Sequence, residues 1–295
     1  MSVQSAPPTS ASIRAVRWSR RGRLRLGARW NGIAATIAVI VIIGLPVFAL
    51  IGPYPIDPFR PDPNAIGIAP NGVHWFGTDG NGMDVFARTI EAAKLDVPIS
   101  VAATLLALVV GVPIGLFATT GRVGDAVMRV VDAFAALPII VIAIVAIQLM
   151  GGGAWNVILA IAIVGAPRFV RLSRASAIAL RSSRYVEAAV AIGCSPMRVA
   201  FNHVFRNAYG VVLVQATLTA ANALGTIAAL NFLGVGVNPP VPTWGAMISD
   251  GASMLIRGEW WAAAFPTLAM LLVIASFNVI AGAIENRIER VERAR

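Results

Sequence analysis

Side chains able to do chemistry are scarce in this chain of 295 residues. It has two histidines, His74 and His203, one cysteine, Cys194, and one lysine, Lys94. A single cysteine excludes a disulfide framework, and no cysteine or histidine spacing suits zinc or another metal. ATP hydrolysis through a phosphate-cradling loop needs glycines followed by Lys-Ser/Thr at a helix start. Lys94 stands instead in Glu91-Ala92-Ala93-Lys94-Leu95-Asp96, without a glycine close by. No serine–histidine–acid set is credible either, because the topology derived below places the two histidines on opposite sides of a membrane. No catalytic residue, metal ligand or cofactor is therefore expected in this chain.

Two other patterns carry information. Gln215, Thr219, Asn222 and Thr226 are spaced 4, 3 and 4 apart in a run otherwise rich in Val, Leu and Ala. That spacing draws one polar stripe along a helix. In lipid such a stripe must face protein or a water-filled cavity. It either hydrogen-bonds neighbouring helices or lines a solute path. Uncharged amides and hydroxyls suit a peptide backbone of variable sequence, since they donate and accept without demanding a particular side chain.

The second pattern is the segment 168–210. Arg184 to Ile192 is good helix material, and Gly193 is placed to end that helix. Ser195 caps the next one, with Pro196 at its first position. There Met197, Phe201, Val204 and Phe205 share one face, with Arg198, Asn202 and Arg206 opposite. The segment reads as a short helix–turn–helix lying flat on a membrane surface, a rigid element against which a cytosolic motor can push. Glu187 is the only acid between Arg168 and Asn207. It pairs with Arg184 three residues earlier, with an arginine on a partner, or with each in turn.

The elements that must position these residues are membrane spans. Composition is 57% hydrophobic and 13% charged, and mean hydropathy is +0.76; a soluble domain carries about a quarter charged residues. Apolar runs long enough to cross a bilayer core of about 30 Å fall near 33–51, 97–119, 133–150, 154–170, 211–237 and 261–284. The expected fold is all-α and polytopic, with six transmembrane helices. With the N-terminus inside, 20 basic residues lie on the cytoplasmic side and 4 outside, as the positive-inside rule requires. Both termini are then cytoplasmic. The net charge of +10 reflects this topology; no aromatic-studded basic face suggests nucleic acid.

The expected divisions are a basic cytoplasmic segment (1–32), a first span and external loop (33–96), a core of five spans (97–284) and a cytoplasmic tail (285–295). Seven arginines between 14 and 29 anchor the first segment to anionic headgroups. The outer loop 52–96 is rich in proline and carries six acids against three bases. It is too long for a simple connector and is expected to fold over the outer face.

Glu187-Ala188-Ala189, Gly193 and then His203 resemble the EAA loop of permease subunits in bacterial ABC importers. His74-Trp75-Phe76-Gly77-Thr78-Asp79 followed by Gly82-Met83-Asp84-Val85 is similar to the outer-loop signature of the dipeptide/oligopeptide/nickel branch. So is Asn231-Phe232-Leu233-Gly234-Val235-Gly236-Val237, continuing through Pro239-Pro240 to Thr243-Trp244-Gly245-Ala246-Met247. The motifs follow the order of the C-type permease subunit and cover nearly the whole chain.

This resemblance implies a type I ABC importer permease fold and an inner-membrane location. It implies a second homologous permease, two ATP-binding subunits that hold ATP and Mg, and an external solute-binding protein. It places Glu187, Ala188, Ala189, Gly193, Ser195 and His203 at the ATPase, and Gly77, Thr78, Asp79, Asp84, Trp244 and Gly245 toward the binding protein. Peptides, nickel chelates or haem are the solutes it suggests; a stand-alone channel is the rival.

Two departures stand out. Met83 replaces an arginine, so an ion pair is expected to be missing there. Phe205-Arg206-Asn207 replaces leucine-proline-asparagine, so the second loop helix is expected to run on. Glu91-Ala92-Ala93 repeats the triplet without the following glycine.

Overall fold

The structure, a computed structural model, describes residues 32–52, 54–119, 121–181, 186, 191–194, 198–199 and 205–292. The described residues are mostly helical, and their only β-pairing is an isolated bridge between Thr78 and Asp84. Helix α1 spans Gly32–Ile51, α2 Val85–Phe117, α3 Gly121–Ala136, α4 Ile139–Met150 and α5 Ala154–Arg181. Then follow α6 over Arg206–Phe232, the short α7 over Trp244–Met254, a 3-10 turn at Leu255–Arg257, and α8 over Trp261–Glu292. Five of these are long and apolar enough to cross a bilayer, and the bent pair α3–α4 provides a sixth crossing if counted as one.

Two boundaries differ from the sequence expectation. Helix α2 begins at Val85, inside the stretch read as loop, because Arg88, Glu91, Lys94 and Asp96 lower the hydropathy there while remaining compatible with helix. Its 33 residues make it about 50 Å long, longer than a bilayer core of about 30 Å. The third span is not one helix. Leu137 precedes Pro138, a setting that disfavours helical backbone, and α3 meets α4 at 97°. Helix α4 alone has 12 residues, about 18 Å, well short of a bilayer core.

The core is organised around α2 and α5. A side chain at Gly111 would meet the Ala166 carbonyl at 2.7 Å and Phe169 Cβ at 2.8 Å, and one at Gly115 would overlap Ser173 and the Val170 carbonyl. Small residues thus let the two backbones touch, the usual device where water cannot drive packing. Toward one end Val112, Leu116, Phe169, Ala177 and Val212 form one buried cluster; toward the other Val85, Leu224, Trp244, Met254 and Phe277 form another. Helix α1 is peripheral, with only 11% of its apolar window buried.

Candidate translocation face and coupling loop

The outer loop is a folded lid built on buried polar side chains. Asp84 caps α2 by accepting from Ala87 N at 2.7 Å, while its other oxygen lies 2.9 Å from His74 Nδ1. Asp79 Oδ1 accepts from Asn81 N at 2.8 Å and Met83 N at 2.9 Å. Thr78 donates its hydroxyl proton to the Ala65 carbonyl and accepts from Ile68 N at 2.8 Å. Gly77 turns with φ +73°, and a side chain there would strike the Ile68 carbonyl and the Trp261 indole. Trp261 in turn donates to the Thr78 carbonyl at 3.1 Å.

Trp244 joins this lid to the membrane helices. Its indole donates to the Thr89 carbonyl at 2.9 Å, and its backbone N–H donates to Asp96 Oδ2 at 2.8 Å. Asp96 therefore places a carboxylate at the N-terminus of α7, where the helix dipole favours negative charge. Sequence reading missed this partnership, which links residues 148 positions apart.

A second link that it missed holds the end of α1. Tyr54 Oη lies 2.7 Å from the Ala49 carbonyl and 2.5 Å from Glu91, which also takes Lys94 at 2.7 Å. Burial, then the hydrogen bond and charge of Glu91, push the Tyr54 phenol above its ordinary value. The triplet Glu91-Ala92-Ala93 is thus part of this fastening.

Gly77, Thr78, Asp79, Asp84, Trp244 and Gly245 are all buried, Thr78 and Trp244 completely. Their expected presentation to an external partner is corrected: they are the interior of the lid, and its outward surface is made by residues such as Val73, Trp75, Ile256 and Trp260. Trp244 is a core anchor because its signature loop is drawn in under α7. An arginine nevertheless lies beside Met83. Arg88 Nε lies 4.0 Å from Asp79, and its Nη1 lies 3.2 Å from the Met83 sulfur and 3.3 Å from the Pro58 carbonyl.

Helix α6 carries the polar stripe. Thr219 is buried and accepts from Gln215 Nε2 at 3.2 Å; Asn222 and Thr226 return hydrogen bonds to the Leu218 and Asn222 carbonyls, at 2.8 and 2.9 Å. Asn222 remains exposed. With Thr226 it lines an open cleft of about 400 Å³, together with Ile140, Gly225 and Asn278 of α8. On its other side the same pair lines a recess of about 20 Å³ shared with Thr219, Ile139 and Arg168. Gln215 does not line either space. The face offers amides and hydroxyls on an apolar wall, and Arg168 and Asn278 join it from α5 and α8.

Toward its C-terminal end α5 projects arginines. Arg171 pairs with Asp132 at 2.8 Å and Arg174 with Asp125 at 3.4 Å, fastening α3 across α5. Beyond α5, Gly193 has φ +83°, the left-handed turn that its position as a helix terminator calls for. Val186 is buried and Ile192 is 81% exposed. Glu187, Ala188, Ala189, Ser195 and His203 lie outside the described residues. Phe205, just before α6, keeps φ −61° and ψ −41° with no side-chain cap. The chain thus enters Arg206 in helical conformation, with no break where the related motif has proline.

Residues 107–290 match the family model described as binding-protein-dependent transport system inner membrane component. This chain belongs to that family. It is 37% identical to the dipeptide transport system permease protein DppC of Alkalihalophilus pseudofirmus, over 75% of this chain and 73% of that protein. It is 30% identical to DppC of Bacillus subtilis, covering 86% and 81%, and 30% identical to the probable D,D-dipeptide transport system permease protein DdpC of Escherichia coli, covering 95% of each. An inward-facing MetNI methionine ABC transporter superposes with a TM-score of 0.53 at 18% identity, over 70% of this chain and 95% of that one. The fold is therefore that of a type I ABC importer permease, and the chain is a multi-pass inner-membrane transport component.

Proposed function

We propose that this permease carries di- and oligopeptides inward, driven by ATPase subunits that bind its cytoplasmic loop. The observation that carries the reading is the series of relatives named as dipeptide permeases over most of the chain. The chemistry of the cleft is in keeping with it. Asn222, Thr226 and Asn278 satisfy a peptide backbone without selecting a side chain.

In this reading the chain pairs with a second, homologous permease whose surface closes the open cleft against Asn222 and Ile140. Two ATP-binding subunits, which hold ATP and Mg, dock on the loop containing Glu187, Ala188, Ala189, Gly193, Ser195 and His203. This chain itself does no catalysis. Both termini are cytoplasmic, by the excess of arginine on that side, and the lid faces an extracytoplasmic solute-binding protein. ATP binding draws the coupling loops together. The motion passes into α5, which is locked to α2 by the close approach at Gly111 and Gly115, and into α3 through the two ion pairs.

The test is uptake into proteoliposomes containing the full complex with its binding protein. Peptide accumulation that needs ATP supports the reading. Leakage without ATP indicates a channel, and uptake of a nickel chelate or haem in preference to peptide reassigns the solute.

A further inference from the structure

Arg168 is the residue that the proposed mechanism leaves unused. It sits midway along α5, about 21 Å from Ala154. It is half-buried, and it lines the recess with Thr219, Asn222 and Thr226. The neighbouring arginines are engaged: Arg171 holds Asp132 and Arg174 holds Asp125. Arg168 has no hydrogen-bond or ion-pair partner among the described residues, and no acid lines its recess.

A half-buried guanidinium without a partner is costly to leave unsatisfied. Its N–H donors need an anion or water to satisfy them. The lining groups do not supply a charge. Asn222 Nδ2 and Thr226 Oγ1 already donate to backbone carbonyls, which leaves their oxygens as acceptors for guanidinium N–H groups rather than as counter-charges. The recess and the larger cleft share Asn222 and Thr226 as lining residues. At about 20 Å³ it admits roughly one water, or one oxygen in its place.

We infer that Arg168 receives the terminal carboxylate of a solute whose remainder occupies the Asn222–Asn278 cleft, making it a selectivity residue for solutes with a free carboxylate. A guanidinium offers a carboxylate oxygen directed, planar N–H donors that a compact ammonium does not reproduce. The inference rests on the peptide-transport reading and adds the end of the peptide that the membrane path recognises.

The experiment uses the assembled complex in proteoliposomes, with saturating binding protein and ATP. Uptake of radiolabelled dialanine and of its C-terminal amide is compared in the wild type, Arg168→Gln and Arg168→Lys. Expressing each variant relative to wild type for the same solute removes the binding protein's own preference. The expected result is that Arg168→Gln lowers free-acid uptake roughly tenfold and leaves amide uptake within about twofold, with Arg168→Lys between. A parallel fall for both solutes in both variants makes Arg168 a structural residue and overturns the inference, as does unchanged uptake of both. If the assembled wild type takes up neither solute, the transport reading fails first and this inference with it.

Discussion

Trp244 shows how one side chain changes meaning once it is placed. A tryptophan near a membrane surface reads as an interfacial anchor, yet this one is fully buried and bonded through both of its N–H groups. Trp244→Phe keeps most of the volume and loses the bond to the Thr89 carbonyl, at a cost of about 1 kcal/mol. Trp244→Ala also opens a cavity and costs about 3–5 kcal/mol. Thermal unfolding of the purified complex should rank the variants in that order, and equal effects would deny the indole bond its part. Asn222 and Thr226 make the contrasting case. Asn222→Leu and Thr226→Val should lower peptide uptake while the complex still assembles, because both residues border open space. Unchanged uptake in both variants would assign the stripe to packing. The stripe itself was legible from its spacing of 4, 3 and 4. Which members border the cleft was not, since Gln215 spends its amide on Thr219 within the same helix.

Among the elements, hydropathy located α1, α5, α6 and α8 because a span must be apolar along its length. It failed at two places, each for a physical reason. The outer turns of α2 are charged but paired, with Glu91 between Tyr54 and Lys94 and Asp96 against α7. Helices α3 and α4 form one hydropathic run divided by Pro138. The ion pairs from α3 to α5 are exposed, and exposed pairs contribute about 0–1 kcal/mol each. Their importance should therefore appear in coupling more than in stability. Asp132→Arg alone should uncouple ATP hydrolysis from uptake, and the exchange Asp132→Arg with Arg171→Asp should restore it. Failure of the exchange to restore coupling, with the complex intact, would remove α3 from the transmission path. At Gly193 the turn has φ +83°, so Gly193→Ala costs about 1 kcal/mol locally and should lower uptake per ATP hydrolysed.

Seen whole, the chain is an incomplete device. It has a folded lid at one end, a cleft open along α6 and α8, and a basic face with a turned loop at the other. It belongs to a family of transport permeases, and a permease of an ABC importer implies ATPase partners. The family was legible early in the sequence, because motifs of Gly, Pro and Trp recur at fixed separations. The sequence did not reveal the lid's interior, where a buried Asp84 or Thr78 has the same letter as an exposed one.

Cys194 offers the most direct test of the central claim. It is the only cysteine in the chain, it is partly exposed, and it follows Gly193 at the turn of the loop proposed to dock on the ATPases. A short photoactivatable crosslinker attached to Cys194 in the assembled complex should trap an ATP-binding subunit, with a yield that changes when nucleotide closes the ATPases. Adducts confined to lipid or to the permeases, in a complex that retains its ATPases, would contradict the account.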